Sequence, residues 1–411
     1  MRLSSVCPEL TTFSISRCLQ LRDSCAPAFL LMRHLRSLRV DYCDWITDCF
    51  VEGLMAHPSL TELSMVAACR LSLREPVLPE HLRILNLSAC RGLDRQCLSN
   101  LAKLTKLTSL NLSDCPSALA IHEGIAFLKP VSSLTHLSLR SSGVTLPLFQ
   151  TLGEMTQLTN LCLSQNPDLN SACVSCLSEL TKLSNLDLSR CPNVTETALL
   201  TVGRFSCLEE LDISYTGIKE DGLQALIPIQ EGTMRTLSIM KCRPSHPFLD
   251  SLSRSTGLTS LSLTDCSFEN SDVYLFATYT PLQHLDISSA IGITDSIFPH
   301  LARLLHLQSL NVGSSYTITN AGISHLKALP QLSKLTLDWC ARITDGIGAL
   351  LTEFQVLTHL SLRSCKRLTD QAMPNLLKIP KLELLDITYC TGINNPRLLA
   401  QEAPKKLCIM Y

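Results

Sequence analysis

A six-residue string, Leu-x-x-Leu-x-Leu, returns along the whole chain, and no other feature constrains its folding as strongly. It begins at Leu10, Leu35, Leu60, Leu82, Leu107, Leu134, Leu158, Leu183, Leu208, Met234, Leu258, Leu282, Leu307, Leu332, Leu357 and Leu382. The sixteen copies are 22 to 27 residues apart, most often 25. A truncated seventeenth is read at Leu407 and Ile409. A period of this length marks supersecondary units that bury their apolar faces only against their neighbours. No linker, low-complexity stretch or charge block interrupts it, so residues 1–411 are read as a single repeat domain.

With the first leucine of each copy as position zero, further marks recur. Position eight is cysteine in ten copies: Cys18, Cys43, Cys90, Cys115, Cys191, Cys242, Cys266, Cys340, Cys365 and Cys390. Three residues later comes an aliphatic residue, often followed by Thr-Asp, as in Ile46-Thr47-Asp48 and Ile343-Thr344-Asp345. The Leu-x-Leu alternation predicts a short strand buried on one face. The Thr-Asp pair predicts a helix start, its side-chain oxygens accepting from free amides of the first turn. Segments such as 346–354 then have helical apolar spacing, and Pro8, Pro58, Pro330 and Pro380 close their units before the next strand. Position eight falls in the turn after the strand, where a small, weakly polar residue faces inward against its equivalents.

These marks resemble the leucine-rich repeat family, and more narrowly its cysteine-containing subclass, with consensus L-x-x-L-x-L-x-x-C-x-x-I-T-D-x-x-L. Residues 332–345 (LSKLTLDWCARITD) and 357–370 (LTHLSLRSCKRLTD) match it nearly residue for residue. The resemblance spans about residues 8 to 409. It implies an α/β solenoid, a curved horseshoe with a parallel β-sheet on the concave side and helices on the convex side. Elementary spacing implies the same shape, because parallel strands stack ~4.8 Å apart while packed helices need ~8–10 Å.

Composition narrows the function classes. Lys+Arg is 35 and Asp+Glu is 36, a formal net charge of −1. That balance lacks the basic excess of a nucleic-acid sleeve or an anionic-membrane anchor. Leucine makes up roughly a fifth of the chain, against ordinary usage well below that. No apolar run approaches the ~18 residues of a membrane span, and the N-terminal residues have no apolar core of a secretory signal. The twenty cysteines are therefore read as thiols of a cytoplasmic protein, or a nuclear one.

The sequence contains no phosphate-cradling GxxxxGK[ST], GxGxxG or GxSxG motif. His122-Glu123 lacks the second histidine of a zinc protease, and Cys173 and Cys176 lack the second pair of a zinc site. His136, His284 and His359 share one strand column; His284 and His359 are three strands, about 14 Å, apart. The Asn86, Asn111 and Asn193 sequons are read as coincidental. No catalytic residue, metal or cofactor is expected.

Positions four and six are expected to line the sheet face with Ser, Asn, Asp and Thr. Large residues collect at position seven: Tyr42, Tyr215, Trp339 and Tyr389. Aromatic and arginine side chains on a solvent edge are the usual material of binding hot spots. Asp338, Trp339, Arg363, Asp386 and Tyr389 come from three successive strands and are expected to form one patch. Its alternative is an ion network in which Arg363 bridges Asp338 and Asp386. Tyr42 and Tyr215 are further candidates.

The resulting expectation is a non-enzymatic protein–protein interaction scaffold with protein partners, no nucleic acid and no membrane. A solenoid end without a polar cap is a further docking place. In F-box proteins with such repeats, the solenoid captures a substrate for a ubiquitin ligase. An F-box needs about forty residues ahead of the repeats, opening Leu-Pro-x-Glu. Here nine precede Leu10, and Leu78-Pro79-Glu80 lies inside the repeats, so a ligase-adaptor role would work through a separate subunit or belong to a distant cousin of the family. The alternative is a structural or regulatory subunit of a larger intracellular assembly, such as a cytoskeletal one. Equivalent residues in a parallel ladder lie ~4.8 Å apart, whereas a disulfide wants Cβ atoms ~3.8 Å apart. Thiol counting under denaturing, non-reducing conditions should accordingly find nearly all twenty cysteines reactive; a largely oxidised set would overturn both the thiol and the compartment readings.

Overall fold

A computed structural model describes residue 7, residues 9–74, 78–116, 128–230, 232–267, 269–276, 281–394, residue 404 and residues 406–411. Pro8 and His122-Glu123 lie outside the described residues. The chain divides into two compact units, residues 1–208 and 209–411.

In the first unit each repeat contributes a three-residue strand: β1 (Thr12–Ser14), β2 (Ser37–Arg39), β3 (Glu62–Ser64), β4 (Ile84–Asn86), β5 (Ser109–Asn111), β6 (His136–Ser138), β7 (Asn160–Cys162) and β8 (Asn185–Asp187). Consecutive strands from β1 to β8 pair in parallel. The second unit holds β9 (Glu210–Asp212), β10 (Thr236–Ser238), β11 (Ser260–Ser262), β12 (His284–Asp286), β13 (Ser309–Asn311), β14 (Lys334–Thr336), β15 (His359–Ser361), β16 (Leu384–Asp386) and β17 (Cys408–Met410). These also pair consecutively and in parallel. β17 is the seventeenth copy, with Ile409 opposite Leu385.

The register puts the middle leucine of each strand opposite its equivalent, as in Leu335↔Leu360↔Leu385. A one-residue slip would turn every leucine to the wrong face. The middle leucines from β2 to β16 are at most 2% exposed. The first leucines and position-five aliphatics bury beside them, so each repeat gives three apolar residues to a core between the strands and the connecting legs. Burying each such side chain is worth about 1.5–3 kcal/mol.

The legs are short. Asp48–Leu54 and Glu196–Val202 are seven-residue helices. Others begin with a 3-10 turn, as Asp295–Ile297 before Phe298–Leu301 and Asp370–Ala372 before Met373–Leu376. Helices this short are marginal alone and rest on buried leg residues such as Phe50, Phe298 and Met373.

The Thr-Asp pair divides its labour in a way the sequence reading did not expect. The threonine caps its own leg: Thr47 accepts from the Cys49 amide, Thr319 from Ala321 and Thr369 from Gln371. The acidic or amide residue after it reaches into the next repeat. Asp345 accepts from the Thr369 amide and hydroxyl, both at 2.7 Å. Asp23 binds Thr47, Asp295 binds Thr319 and Asp370 binds Asn394 in the same manner. This carboxylate is a staple between repeats.

The turn after each strand is more constrained still. All sixteen position-seven residues have positive φ, between 51° and 62°, and none is glycine or asparagine. The Cys340 amide, which follows Trp339, closes the turn on Leu337 O at 3.2 Å. The left-handed conformation costs a side-chain-bearing residue on the order of 1–2 kcal/mol, so the surroundings must hold it. One holder is position eight. In seven of the ten cysteine copies its side chain donates to the position-five carbonyl of the preceding repeat, as Cys90 to Met65 (3.0 Å), Cys115 to Leu87 (3.2 Å), Cys365 to Leu337 (3.1 Å) and Cys390 to Leu362 (3.0 Å). Ser142 and Asn166 do the same to Leu112 and Leu139. The position therefore selects a small donor, with backbone as the partner, rather than contact between like residues alone. Nine of the ten position-eight cysteines are buried, and all twenty cysteines are free thiols.

Ser315 breaks this pattern: its hydroxyl is buried with no hydrogen-bond partner. Ser315→Cys should put the missing donor within reach and raise stability by about 1 kcal/mol. Urea unfolding would show a higher midpoint at unchanged slope; an unchanged midpoint would mean the hydroxyl is already satisfied.

Candidate functional site

The residues picked from sequence at the C-terminal repeats do come together, though not all for the same purpose. β14, β15 and β16 end side by side, and the turns after them carry Trp339, Ser364 and Tyr389 in the left-handed conformation. The Trp339 amide donates to the Arg363 carbonyl at 2.8 Å, the last rung of the ladder. Both aromatic side chains project outward, Trp339 at 49% and Tyr389 at 64% exposure. The Arg363 guanidinium lies 5.1 Å from the Tyr389 ring centroid, a cation–π stack.

The two aspartates turn toward backbone. One oxygen of Asp338 accepts from the Ser361 hydroxyl and, at 3.1 Å, from the Arg363 amide. Asp386 accepts from the Thr388 amide at 2.8 Å and from the Thr388 hydroxyl. Arg363 therefore does not bridge Asp338 and Asp386; the ion-network alternative gives way to the stack on Tyr389.

A single rule explains these carboxylates. The amide at position six needs an acceptor where the strand ends. In seven of the sixteen copies an Asx at position four of the same strand supplies it, as Asn86 does for Ser88, Asp187 for Ser189 and Asp286 for Ser288. In β3 and β15 position four is Ser64 and Ser361, and the preceding repeat's position-six aspartate substitutes. Asp41 takes the Val66 amide and Ser64 hydroxyl as Asp338 takes those of Arg363 and Ser361. Much of the acidic lining expected on the sheet face is thus committed to holding strand ends.

The other candidates pair with cations. Tyr42, 47% exposed, faces the Arg17 guanidinium at 5.6 Å, and the half-buried Tyr215 faces the Lys241 ammonium at 5.3 Å. Several large residues on this same turn edge escaped the sequence reading because they stand two or three places beyond position seven. Ile291 and Tyr316 are exposed at position nine. Trp45, at position ten, is stacked between the Arg22 and Arg70 guanidiniums at 4.7 and 4.0 Å. Each row of the repeat alignment past position seven held that signal.

The buried thiols are inert by environment. Burial pushes Cys90, Cys97 and Cys266 up to about 12 and Cys340 up to about 11. Raised values leave no thiolate near neutral pH. Cys173 is buried and Cys176 half-buried at the end of the helix Ser171–Ser175, as leg residues.

A family model described as a leucine-rich repeat region matches residues 64–376. The chain belongs to the leucine-rich repeat family. A comparison with curated protein sequences returns no match. Among solved structures, this leucine-rich repeat chain is similar to yeast Rad7 in its complex with Elc1 (15% identity, 99% of this chain and 90% of the other, TM-score 0.57). It is also similar to TLR13 in a complex with ssRNA13 (18% identity, 98% and 65%, TM-score 0.50). An internalin from Listeria monocytogenes aligns at 20% identity over 87% and 88%, with a TM-score of 0.46. The likenesses to Rad7 and TLR13 show the fold. Among the described residues of this leucine-rich repeat protein, no group of three His, Cys, Asp or Glu side chains could hold a metal ion, and no helix is long and apolar enough to cross a membrane.

Since the Asp338 carboxylate closes the next strand end, Asp338→Ala should cost about 1–2 kcal/mol of stability. Arg363→Ala, whose exposed side chain only stacks, should stay within about 0.5 kcal/mol. Paired thermal or urea melts check this; equal effects would place both residues in the same role.

Proposed function

We propose that the protein is a non-enzymatic interaction scaffold that binds a protein partner through the turn edge of β14–β16. The observation that carries this is the choice of residue at the left-handed position. The backbone there is cheapest with glycine or asparagine, yet Trp339 and Tyr389 occupy it and project into solvent. Neither the core nor the turn gains from a bulky exposed ring, whereas a partner surface does. Arg363, stacked on Tyr389, adds a preoriented cation, and Asp338 and Asp386 support the strand ends beneath. Tyr42 and Tyr215 are secondary contacts on the same edge of other repeats. The twenty free thiols support a reducing compartment, cytoplasmic or nuclear.

The finer reading is a substrate-recognition component in ubiquitin-dependent degradation. It is supported by the match of residues 332–345 and 357–370 to the cysteine-containing consensus, the subclass found in F-box proteins. A solved protein of the same fold, yeast Rad7, is in complex with a second protein, Elc1. Affinity purification with mass spectrometry separates the two roles: ligase subunits favour the adaptor, stoichiometric structural proteins the assembly subunit.

With the recovered partner, Trp339→Ala and Arg363→Ala should each weaken binding by about 2 kcal/mol or more without lowering the unfolding temperature. Binding that survives both changes would sink the assignment of this edge.

A further inference from the structure

A second surface, on the first three repeats, goes beyond that edge. Residues 1–102 contain eleven arginines and no lysine. Two of them, Arg22 and Arg70, sandwich the half-exposed Trp45. Arg17 stacks on Tyr42 alongside. On the sheet face, Arg39 of β2 is the one cation at position four among the sixteen copies, and it stands in register between Ser14 and Ser64. With Arg36 it borders a cavity of about 560 Å³ whose other walls include Thr12, Ser14 and Ser37. Among the described residues none of these five guanidiniums forms an ion pair with a carboxylate. The nearby carboxylates of Asp23 and Asp41 are taken by Thr47 and by Ser64 and Val66.

A guanidinium lying flat on an aromatic ring keeps its N–H edge free. That edge fits a carboxylate with two parallel hydrogen bonds, which an ammonium cannot do. Stacking also fixes the side chain beforehand and so lowers the entropy lost on binding. Trp45 thus holds two such forks at once.

We propose that this surface binds a short acidic polypeptide segment, its carboxylates taken by Arg22, Arg70 and Arg39. The Arg22 and Arg70 guanidiniums, 4.7 and 4.0 Å from the Trp45 ring centroid, lie within the reach of roughly three extended residues, so the part of the segment that they take is a compact cluster of Asp or Glu. A peptide is favoured over a nucleic acid because Glu62 lines the same cavity and Asp44 lies exposed beside Trp45. An unbroken phosphate backbone meets repulsion at both, whereas a peptide sets amide donors between its carboxylates.

The test titrates the full chain with a labelled twelve-residue Glu-rich peptide, its Gln-matched counterpart and a single-stranded RNA of equal length. The Glu peptide should bind at least tenfold more tightly than the other two, and its binding should perturb tryptophan fluorescence. Arg39→Glu, and separately the Arg22→Ala/Arg70→Ala pair, should each weaken it at least tenfold with an unchanged circular-dichroism melt. Trp339→Ala should leave it unchanged, so this surface and the β14–β16 edge stand or fall separately. Absent or equal peptide binding, full affinity in either arginine variant, tighter RNA binding, or loss on Trp339→Ala would each overturn the proposal.

Discussion

Everything in these repeats hangs on the turn that ends each strand. A parallel ladder must turn its chain away from the sheet once per repeat, and here it does so through a single residue held at positive φ. That residue's amide makes the last rung of the ladder, and the next residue's side chain bonds the preceding repeat. Strand length, leucine register and the place of the apolar leg follow. A misplaced turn would shift the alternation and bring the leucines out of the core. The strain is tolerable because hydrogen bonds and packing over-determine the conformation at each copy.

Polar side chains in this architecture are mostly occupied with the architecture itself. The Asx residues at position four, the two aspartates at position six and the Asp or Asn at the leg start each complete a backbone group of their own or the neighbouring repeat. Leaving such donors unmet would cost about 1–3 kcal/mol apiece. An acidic residue in the lining is consequently weak evidence of a binding role. Aromatic and basic side chains on the turn edge have no such duty.

Two edge regions therefore differ in chemistry though they use the same turn. Around Trp339 and Tyr389 the large exposed surface is aromatic, with one stacked arginine. Around Tyr42 and Trp45 the aromatic rings serve as plates for three arginines. The first suits a partner that buries rings in pockets; the second suits one that brings carboxylates. A repeat scaffold can diversify in this way because the turn fixes the backbone and leaves the outward side chain free to vary.

The sequence by itself determined the repeat, its strands, its leucine register and the family, because a 25-residue apolar period admits few ways to bury its faces. It also brought Trp339, Arg363 and Tyr389 to one edge, since equal offsets in successive copies must be neighbours. Tertiary structure decided what each polar group does. Position offsets cannot say whether Asp345 caps its own leg or staples the next repeat, nor that Asp338 closes a strand end because Ser361 is too short to do so. Nor do they reveal that Arg363 stacks on Tyr389 instead of pairing with acids, or that Trp45 lies between arginines from the flanking repeats. Those choices depend on distances of a few ångströms across the ladder, where hydrogen bonds and ring contacts compete for the same side chain, and a one-dimensional pattern holds no such distances.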